Sequence, residues 1–188
     1  MNVFDFDNTL YRGESSVDLA LFMIRGNRKI ILWLPKIFWN LLRYKLCLIG
    51  RERIEELINS FMQSVLRNRE EVLGITGEFW ESHSHKLNKS VISRIRKEDV
   101  IVSAGPFFLL EAIRDRLGTQ NLICSEVDFD RMCVARLNFG ANKVRRFREV
   151  YGDTDIDSFY TDSYNDRALM EISDRVFIVK KGRIRRIK

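Results

Sequence analysis

The stretch Val3-Phe4-Asp5-Phe6-Asp7-Asn8-Thr9-Leu10 decides the fold, because it joins a short apolar strand to two carboxylates one residue apart. In an extended backbone, Asp5 and Asp7 lie on one side while Phe4 and Phe6 face the other. Two carboxylates held this close repel each other, so they need a shared cation or a proton to exchange. An isolated pair of this kind is more often part of a loop, so its meaning depends on the rest of the chain.

The 188 residues are enough for one domain, or for a core domain that carries an insertion. Three cysteines, Cys47, Cys124 and Cys133, are too few for a disulfide framework and fit a reducing compartment. The first strand begins almost at Met1, which leaves no room for a signal peptide. We therefore expect a cytoplasmic protein, located either in solution or at the membrane surface.

The net charge of +6 is unevenly distributed along the chain. Six of the nine residues 180–188 are basic, and residues 19–51 contain seven basic residues and no acidic one. Basic patches suit nucleic acid, an anionic membrane or phosphorylated substrates. No nucleic-acid motif accompanies these patches, so a nucleic-acid partner is poorly supported.

Residues 14–86 are predicted to form an all-helical cap inserted after the first strand. Ser15 and Asp18 have the spacing of a capping box, with Ser15 as the helix cap. Apolar residues at 54–65 recur at helical spacing, and 72–80 is predicted to form a further helix.

The segment Ile30–Ile49 is aromatic, basic and about long enough to span a bilayer. Pro35, Lys36 and Arg43 interrupt it, and a central Lys or Arg costs about 2.5–3.5 kcal/mol on insertion. Two interpretations remain open. The segment is either a buried, aromatic-rich helical pair or an interfacial helix that contacts an anionic membrane.

Strands and helices alternate along the rest of the chain, and 1–13 with 87–188 are predicted to form the core. Such alternation builds an α/β fold with a Rossmann-like parallel sheet, whose ligands bind at the carboxyl ends of the strands. Strands are predicted at 99–103, 122–124, 158–161 and 176–179, helices at 107–117, 142–150 and 167–172, and a small hairpin at 127–137.

Polar side chains fall where the predicted strands end or the helices begin. Three carboxylates converging there would suit Mg²⁺, a hard cation that also binds phosphate oxygens. A hydroxyl, a lysine and helix N-terminal amides would suit the phosphate itself. The residues concerned are Asp5, Asp7, Ser103, Lys143, Asp162 and Asp166.

Four segments resemble, in order and spacing, the motifs of the haloacid dehalogenase superfamily: 5–10, 100–104, 138–143 and 161–166. The aspartate pair of the first segment marks the phosphatase branch of that superfamily. A helical cap directly after it resembles the phosphoserine phosphatase-like subgroup. The basic, aromatic cap is also similar, more loosely, to bacterial phosphatidylglycerophosphate phosphatases of this fold.

The resemblance implies a division of roles at the site. Asp5 would attack phosphorus and become an aspartyl-phosphate, while Asp7 would act as general acid and then as general base. Thr9, Ser103 and Lys143 would surround the phosphoryl group, with Thr9 also orienting Asp7.

The same resemblance implies Mg²⁺ as cofactor, held by Asp5, the carbonyl of Asp7, and Asp162. Asp166 would support Lys143 and the metal-bound waters, with Asn165 nearby. The helical cap would close over the site and select the leaving group.

The sequence departs from the phosphoserine phosphatase pattern at two positions. Asn8 replaces the usual Ser, and Thr161 stands where Gly often precedes the metal-binding aspartate. Glu14 has the spacing of a substrate-contacting Glu in that subgroup, so it is a possible substrate contact. These departures argue against phosphoserine as the substrate and leave the catalytic set intact.

The resulting hypothesis is a Mg²⁺-dependent phosphomonoester hydrolase. Its substrate would be a phospholipid monoester, favoured by the basic and aromatic cap, or a small phosphometabolite. Two alternatives remain: a phosphotransferase of the same fold, and a membrane-surface interaction module that retains the fold.

Overall fold

The computed structural model describes residues 1–26, 28–45, 48 and 50–188, leaving out the side chains of 28, 29, 41, 44, 45 and 51. Three positions of the predicted segment Ile30–Ile49 (46, 47 and 49), among them Cys47, therefore lie outside the described residues. The strands are β1 Asn2–Phe4, β2 Val100–Pro106, β3 Asn121–Asp128, β4 Cys133–Arg136, β5 Ile156–Thr161, β6 Ser173–Lys180 and β7 Arg183–Arg186. The α-helices are α1 Ser15–Met23, α2 Leu34–Lys45, α3 Arg51–Val65, α4 Arg69–His83, α5 Lys89–Ile92, α6 Phe107–Glu111, α7 Ala141–Tyr151 and α8 Arg167–Glu171. Short 3₁₀ helices cover Arg28–Trp33, Ser84–Lys86, Arg114–Arg116 and Tyr164–Asp166.

The seven strands form one sheet in the order β4-β3-β2-β1-β5-β6-β7. The five central strands are parallel, and β4 and β7 pair antiparallel at the two edges. β1 therefore lies in the middle of the sheet, between β2 and β5. The predicted α/β fold is confirmed, and the residues that follow β1 stand at the centre of the carboxyl edge.

Both faces of the sheet are covered, as the alternation along β1 requires. Phe4 and Phe6 belong to the hydrophobic cluster that includes α4 and α6. Val3 points to the opposite cluster, where it packs with residues of α7 and α8 such as Phe147 and Leu169. All five of these side chains are at most 1% exposed, so β1 is fixed from both sides.

The helices α1 to α4 form an insertion between β1 and β2, within the predicted range 14–86. The chain leaves and re-enters the core at neighbouring points, because Tyr11 and Leu87 form an antiparallel bridge. Trp80 of α4 packs edge-on against Phe6 and Tyr11, with ring centroids 6.4 and 5.6 Å apart. Its Nε1 donates to the carbonyl of Leu109 in α6 at 2.7 Å, so the insertion is anchored directly to the core.

A polar network ties the two connections of the insertion to α1. The hydroxyl of Tyr11 donates to Oδ2 of Asp18 at 2.7 Å, and Nζ of Lys86 donates to the same oxygen at 2.7 Å. Tyr11 lies on the outgoing connection and Lys86 on the returning one. One carboxylate of α1 therefore holds both ends of the insertion together.

Two local predictions were wrong, and one strand was missed. The helix predicted at 107–117 stops at Glu111 and gives way to a 3₁₀ turn at Arg114–Arg116. Ser15 is not the cap of α1 but its first helical residue, with Glu14 at the cap position. The basic residues 180–188 include β7, a strand that was not predicted, which pairs with β6 across a turn in which Lys181 and Gly182 both have positive φ.

The described part of Ile30–Ile49 is a 3₁₀ turn followed by α2, and it is only partly buried. Ile30 is fully buried, whereas Leu32, Phe38 and Trp39 are 79%, 69% and 59% exposed. The buried interpretation is therefore wrong for these exposed residues, and the interfacial interpretation stays a prediction. None of the described helices is long and apolar enough to cross a membrane.

Candidate active site

Asp5 is the residue that follows β1, and its backbone continues the pairing of that strand. Its amide donates to the carbonyl oxygen of Tyr160 in β5 at 2.8 Å. The Asp5 residue is only 6% exposed. The central position of β1 thus holds a buried carboxylate at the carboxyl edge of the sheet.

Lys143, in the first turn of α7, connects Asp5 with Asp166. Its Nζ donates to Oδ1 of Asp5 at 2.7 Å and to Oδ2 of Asp166 at 2.9 Å. The three side chains are each less than one-tenth exposed. Asp5 and Asp166 are far apart in the sequence, so this ion triad exists only because α7 brings its lysine between their strands.

The triad places one positive charge between two negative charges in a buried setting. Burial lowers the pKa of Lys143, but the two carboxylates outweigh it and raise that pKa above its ordinary value. Burial raises the pKa of Asp5, an effect that Lys143 opposes and Asp166 reinforces. Lys143 therefore stays charged, and the pair of carboxylates remains short of positive charge.

Asp7 lies two residues beyond Asp5 and contacts the start of α1. Its Oδ1 accepts a hydrogen bond from the backbone amide of Ser15 at 2.7 Å. That amide is among those at a helix N-terminus that have no partner within the helix, and the helix dipole there favours negative charge. The hydrogen bond from its amide to Asp7 thus fixes Ser15 as the first residue of the helix. The Ser15 hydroxyl therefore does not cap the helix.

The environment of Asp7 suits a group that exchanges protons near neutral pH. Burial raises the pKa of Asp7 to about 6, against the opposing hydrogen bond from Ser15, and the Glu14 charge adds to the increase. A carboxyl group with this pKa can both donate and accept a proton near pH 7.

Asn8 and Glu14 close the loop between β1 and α1. Nδ2 of Asn8 donates to Oε1 of Glu14 at 2.8 Å. Asn8 has a φ of 57°, in the left-handed region that asparagine tolerates better than most residues other than glycine. Glu14 is exposed and also raises the pKa of Asp162, so its charge acts on two aspartates of the site. Its role as a substrate contact stays a prediction.

Ser103 lies in β2 at the point where regular pairing with β3 is interrupted. The register shifts between Val102 and Pro106, an irregularity that re-aims the backbone at a strand end. Oγ of Ser103 accepts a hydrogen bond from the amide of Gly105 at 3.0 Å. Asn138 holds the backbone of Ser103 in place, because its Nδ2 donates to the carbonyls of Ser103 and Ile123 at 2.8 and 2.9 Å.

The end of β5 supplies the last acidic residues. Asp162 follows Thr161 directly, and burial raises the pKa of its carboxyl group, with a further contribution from Glu14. The hydroxyl of Thr161 donates to Oδ2 of Asp166 at 3.2 Å. Asn165 is exposed, and its described contact is made by its backbone amide with Oγ of Ser163.

Thr9 is fully buried beneath this loop. Its carbonyl accepts a hydrogen bond from Nδ2 of Asn88 at 3.2 Å, and its hydroxyl has no hydrogen-bond partner among the described residues. Its predicted roles, orienting Asp7 and binding phosphate, are therefore not visible as contacts and stay predictions.

Comparison with known families identifies this arrangement. A family model described as haloacid dehalogenase-like hydrolase matches residues 3–171. The chain belongs to the haloacid dehalogenase-like hydrolases. The resemblance deduced from the four motifs is thereby confirmed. Comparison with curated proteins found no match.

Solved structures share the fold of this hydrolase at low sequence identity. A Bordetella pertussis protein of unknown function has a TM-score of 0.80 and 20% identity, covering 95% of this chain and 89% of its own. A phosphoserine phosphohydrolase-like protein from Francisella tularensis has a TM-score of 0.64 and 17% identity, covering 97% and 88%. Phosphoserine phosphatase, as an analogue of its phospho-aspartyl intermediate, has a TM-score of 0.52 and 15% identity, covering 93% and 83%.

Three residues of this haloacid dehalogenase-like hydrolase escaped the sequence-based set of site residues. Thr161 binds Asp166, Asn138 supports Ser103, and the amide of Ser15 binds Asp7. Thr161 and Asn138 lie inside the quoted motifs, so their place in the motifs was a usable signal. The contribution of Ser15 is a backbone group, which no side-chain pattern reveals.

Proposed function

We propose that this chain hydrolyses phosphomonoesters through an aspartyl-phosphate formed on Asp5. The observation that carries the proposal is that two neighbouring aspartates have unlike partners: buried Asp5 is held by Nζ of Lys143 at 2.7 Å, and Asp7 accepts a hydrogen bond from the amide of Ser15 at 2.7 Å. A nucleophile and a proton carrier at neighbouring positions are what a two-step phosphoryl transfer requires. The phospho-aspartyl analogue described for the related fold of phosphoserine phosphatase supports this assignment.

The two steps use the same pair of aspartates. First, a carboxylate oxygen of Asp5 attacks phosphorus, the ester P–O bond breaks, and Asp7 gives its proton to the leaving oxygen. Next, Asp7 takes a proton from water, and the resulting hydroxide attacks phosphorus and releases inorganic phosphate from Asp5. Lys143 and Ser103 bind the phosphoryl oxygens and offset the charge that develops on them.

The donor set is compatible with Mg²⁺ held by Asp5, the Asp7 carbonyl and Asp162. Among the described residues, no three or more His, Cys, Asp and Glu side chains form a metal-binding group. A set of two carboxylates and one backbone carbonyl does not need a third acidic side chain. The pKa values of all three aspartates are raised, with burial as the main cause, so negative charge is in excess here. When bound, Mg²⁺ would neutralise this charge and polarise the phosphoryl group.

Removal of divalent cations should therefore abolish activity. We expect EDTA to lower hydrolysis of p-nitrophenyl phosphate at least about 100-fold, because a metal supplies several kcal/mol of charge stabilisation. The measurement is the steady-state rate at pH 7 before and after the addition of EDTA. Excess Mg²⁺ should restore the rate, and an equal rate in EDTA and in Mg²⁺ would contradict the metal assignment.

The substrate is a phospholipid monoester or a small phosphometabolite. Membership of a hydrolase family favours water over an acceptor hydroxyl as the second nucleophile. A phosphotransferase would share every residue assigned above, and it differs only in what attacks the aspartyl-phosphate.

A second candidate function is association of the insertion with a membrane surface. Leu32, Phe38 and Trp39 project large apolar side chains that are 59–79% exposed. Lys36 lies on the same short stretch, with its Nζ 4.6 Å from the ring centroid of Trp33. Exposed apolar groups flanked by basic residues are the features of a helix that lies in the interface of an anionic bilayer.

Vesicle flotation tests this association directly. We expect the protein to float with vesicles of phosphatidylcholine and phosphatidylglycerol, and the variant Phe38→Ser with Trp39→Ser to bind at least about tenfold more weakly. Val150→Ser is the matched control, because Val150 is 60% exposed on α7 of the core. Equal flotation of all three proteins, or no flotation of the parent, would exclude the insertion as a membrane contact.

A further inference from the structure

An apolar cavity of about 310 Å³ lies between the helical insertion and the core. Its walls come from α1, α2, α3 and α4 on one side and from β2, β3 and β4 on the other. Representative lining residues are Leu19, Met23, Ile37, Leu57, Phe61 and Val134.

The cavity is too large to be a packing defect. Protein interiors are close-packed and contain few voids larger than a water molecule, whereas ligand pockets occupy about 300–1,000 Å³. The cavity therefore has the volume of a small binding pocket. Its position between two units of the fold is also a common place for ligand sites.

Two residues of the cavity wall are chain neighbours of residues in the candidate site. Ala104, which lines it, directly follows Ser103, and Ser16 directly follows Ser15, whose amide binds Asp7. A methyl group on Gly105 would lie 3.2 Å from Oγ of Ser103 and 3.6 Å from Oγ of Ser16. The phosphate-binding hydroxyl and the cavity wall thus meet around Gly105, which leaves the space between them open.

The chemistry of the wall selects against polar occupants. No charged side chain is among the described residues that line the cavity. The hydroxyl of Ser125 is already used, since it donates to the carbonyl of Ala104 at 2.7 Å and accepts from the amide of Asn138 at 2.9 Å. The hydroxyl of Thr76 is likewise used, donating to the carbonyl of Val72 at 2.7 Å. An ionised ammonium or carboxylate group placed here would lose its hydration without gaining a partner.

We propose that this cavity holds the apolar chain of the leaving group, so that the preferred substrates are phosphomonoesters of alkyl or acyl-bearing alcohols. The proposal rests on the function proposed above, because Ser103 and Ser15, the residue whose amide binds Asp7, are the chain neighbours of Ala104 and Ser16 in the cavity wall. Helix α2 links the cavity to the exposed apolar surface. Leu34 and Ile37 line the cavity, and the neighbouring Phe38 faces outward.

The test is the dependence of kcat/KM on chain length for ethyl, butyl, hexyl, octyl and decyl phosphate at monomeric concentrations. We expect about a fourfold rise per methylene, which corresponds to about 0.8 kcal/mol, until the cavity is full and the rise stops. From ethyl to hexyl phosphate the gain should exceed about 100-fold. A flat series would overturn the proposal and leave a small polar phosphometabolite as the substrate.

Two variants locate the effect in the cavity. Ala20→Phe fills space at the wall contributed by α1, and we expect the ratio of octyl to ethyl kcat/KM to fall at least tenfold. Ile58→Ala enlarges the cavity, so the rise should continue to longer chains. Ala112→Phe, a matched change at an exposed position outside the cavity, should leave the series unchanged. If circular dichroism shows that Ala20→Phe does not fold, the test depends on Ile58→Ala. A rise in kcat/KM that stops at the same chain length in Ile58→Ala as in the parent protein would then overturn the proposal.

Calorimetric binding of non-hydrolysable alkylphosphonates separates this proposal from the proposed function. Affinity that rises with chain length without turnover of any phosphate ester would refute the catalytic function and support the cavity assignment. Turnover without chain-length dependence would refute the cavity assignment alone. Decyl phosphate presented in phosphatidylcholine vesicles, compared with the monomer, then shows whether the chain comes from a membrane or from solution.

Discussion

Asp5→Asn is expected to lower kcat for the hydrolysis of p-nitrophenyl phosphate in Mg²⁺ by about 10⁴-fold or more. An amide cannot form the acyl phosphate, so the reaction loses its first step and not merely a favourable contact. Removal of a nucleophile has the largest effect of any single change at such a site, because residues that act as one unit fail together. Steady-state rates on purified protein, with inorganic phosphate as the measured product, provide the readout.

The fold should survive this change, which makes the result interpretable. Asparagine has nearly the shape of aspartate, and Lys143 keeps Asp166 as a partner at 2.9 Å. Asp155→Asn, at an exposed position remote from the triad, is the matched control and should retain full activity. Substantial activity in a folded Asp5→Asn protein would refute the aspartyl-phosphate mechanism.

The strands of the core could be predicted from the sequence because each is marked by a short run of apolar residues. The apolar, β-branched run at Val100–Val102 predicts a buried strand, and the structure extends it to Pro106. The same logic identified β1, β3, β5 and β6. Because polar residues follow these strands at the carboxyl edge, the candidate catalytic residues could also be selected before any contact was known.

The errors occurred where tertiary contacts override local preference. Ser15 has the pattern of a capping box, but Asp7 occupies the free amide at that helix end, which fixes Ser15 inside the helix. No strand was predicted at Arg183–Arg186, yet Lys181 and Gly182 adopt the positive φ values that a tight hairpin requires.

The cavity could not be predicted, because no single segment contains it. It depends on the distance between helices of the insertion and the ends of three strands, and amphipathic patterns do not specify that distance. The ion triad could not be predicted for the same reason, because its three residues come from separate segments. A basic residue among Arg145, Arg146 and Arg148 gives no indication that Lys143 alone reaches two buried carboxylates, Asp5 and Asp166.

Replacement of Lys143 should have the second largest effect, and it acts on stability as well as activity. Lys143→Met leaves Asp5 and Asp166 buried without their cation, and breaking a buried ion pair in this way costs about 3–5 kcal/mol. We expect the free energy of unfolding at pH 7, measured with urea, to fall by that amount. Activity toward p-nitrophenyl phosphate should fall about 100- to 1,000-fold, as for other lost stabilisers of an oxyanion.

A second change separates the two effects of Lys143. Adding Asp166→Asn to Lys143→Met removes one of the two uncompensated charges, so part of the lost stability should return. Activity should not return, because the phosphoryl oxygens would still lack their cation. Lys89→Met, at an exposed position, should change the free energy of unfolding by no more than about 0.5 kcal/mol. If the free energy of unfolding of Lys143→Met lies within about 1 kcal/mol of that of the parent protein, Lys143 does not offset the buried charges of Asp5 and Asp166. If the double variant regains activity together with stability, Lys143 serves the fold and not the phosphate.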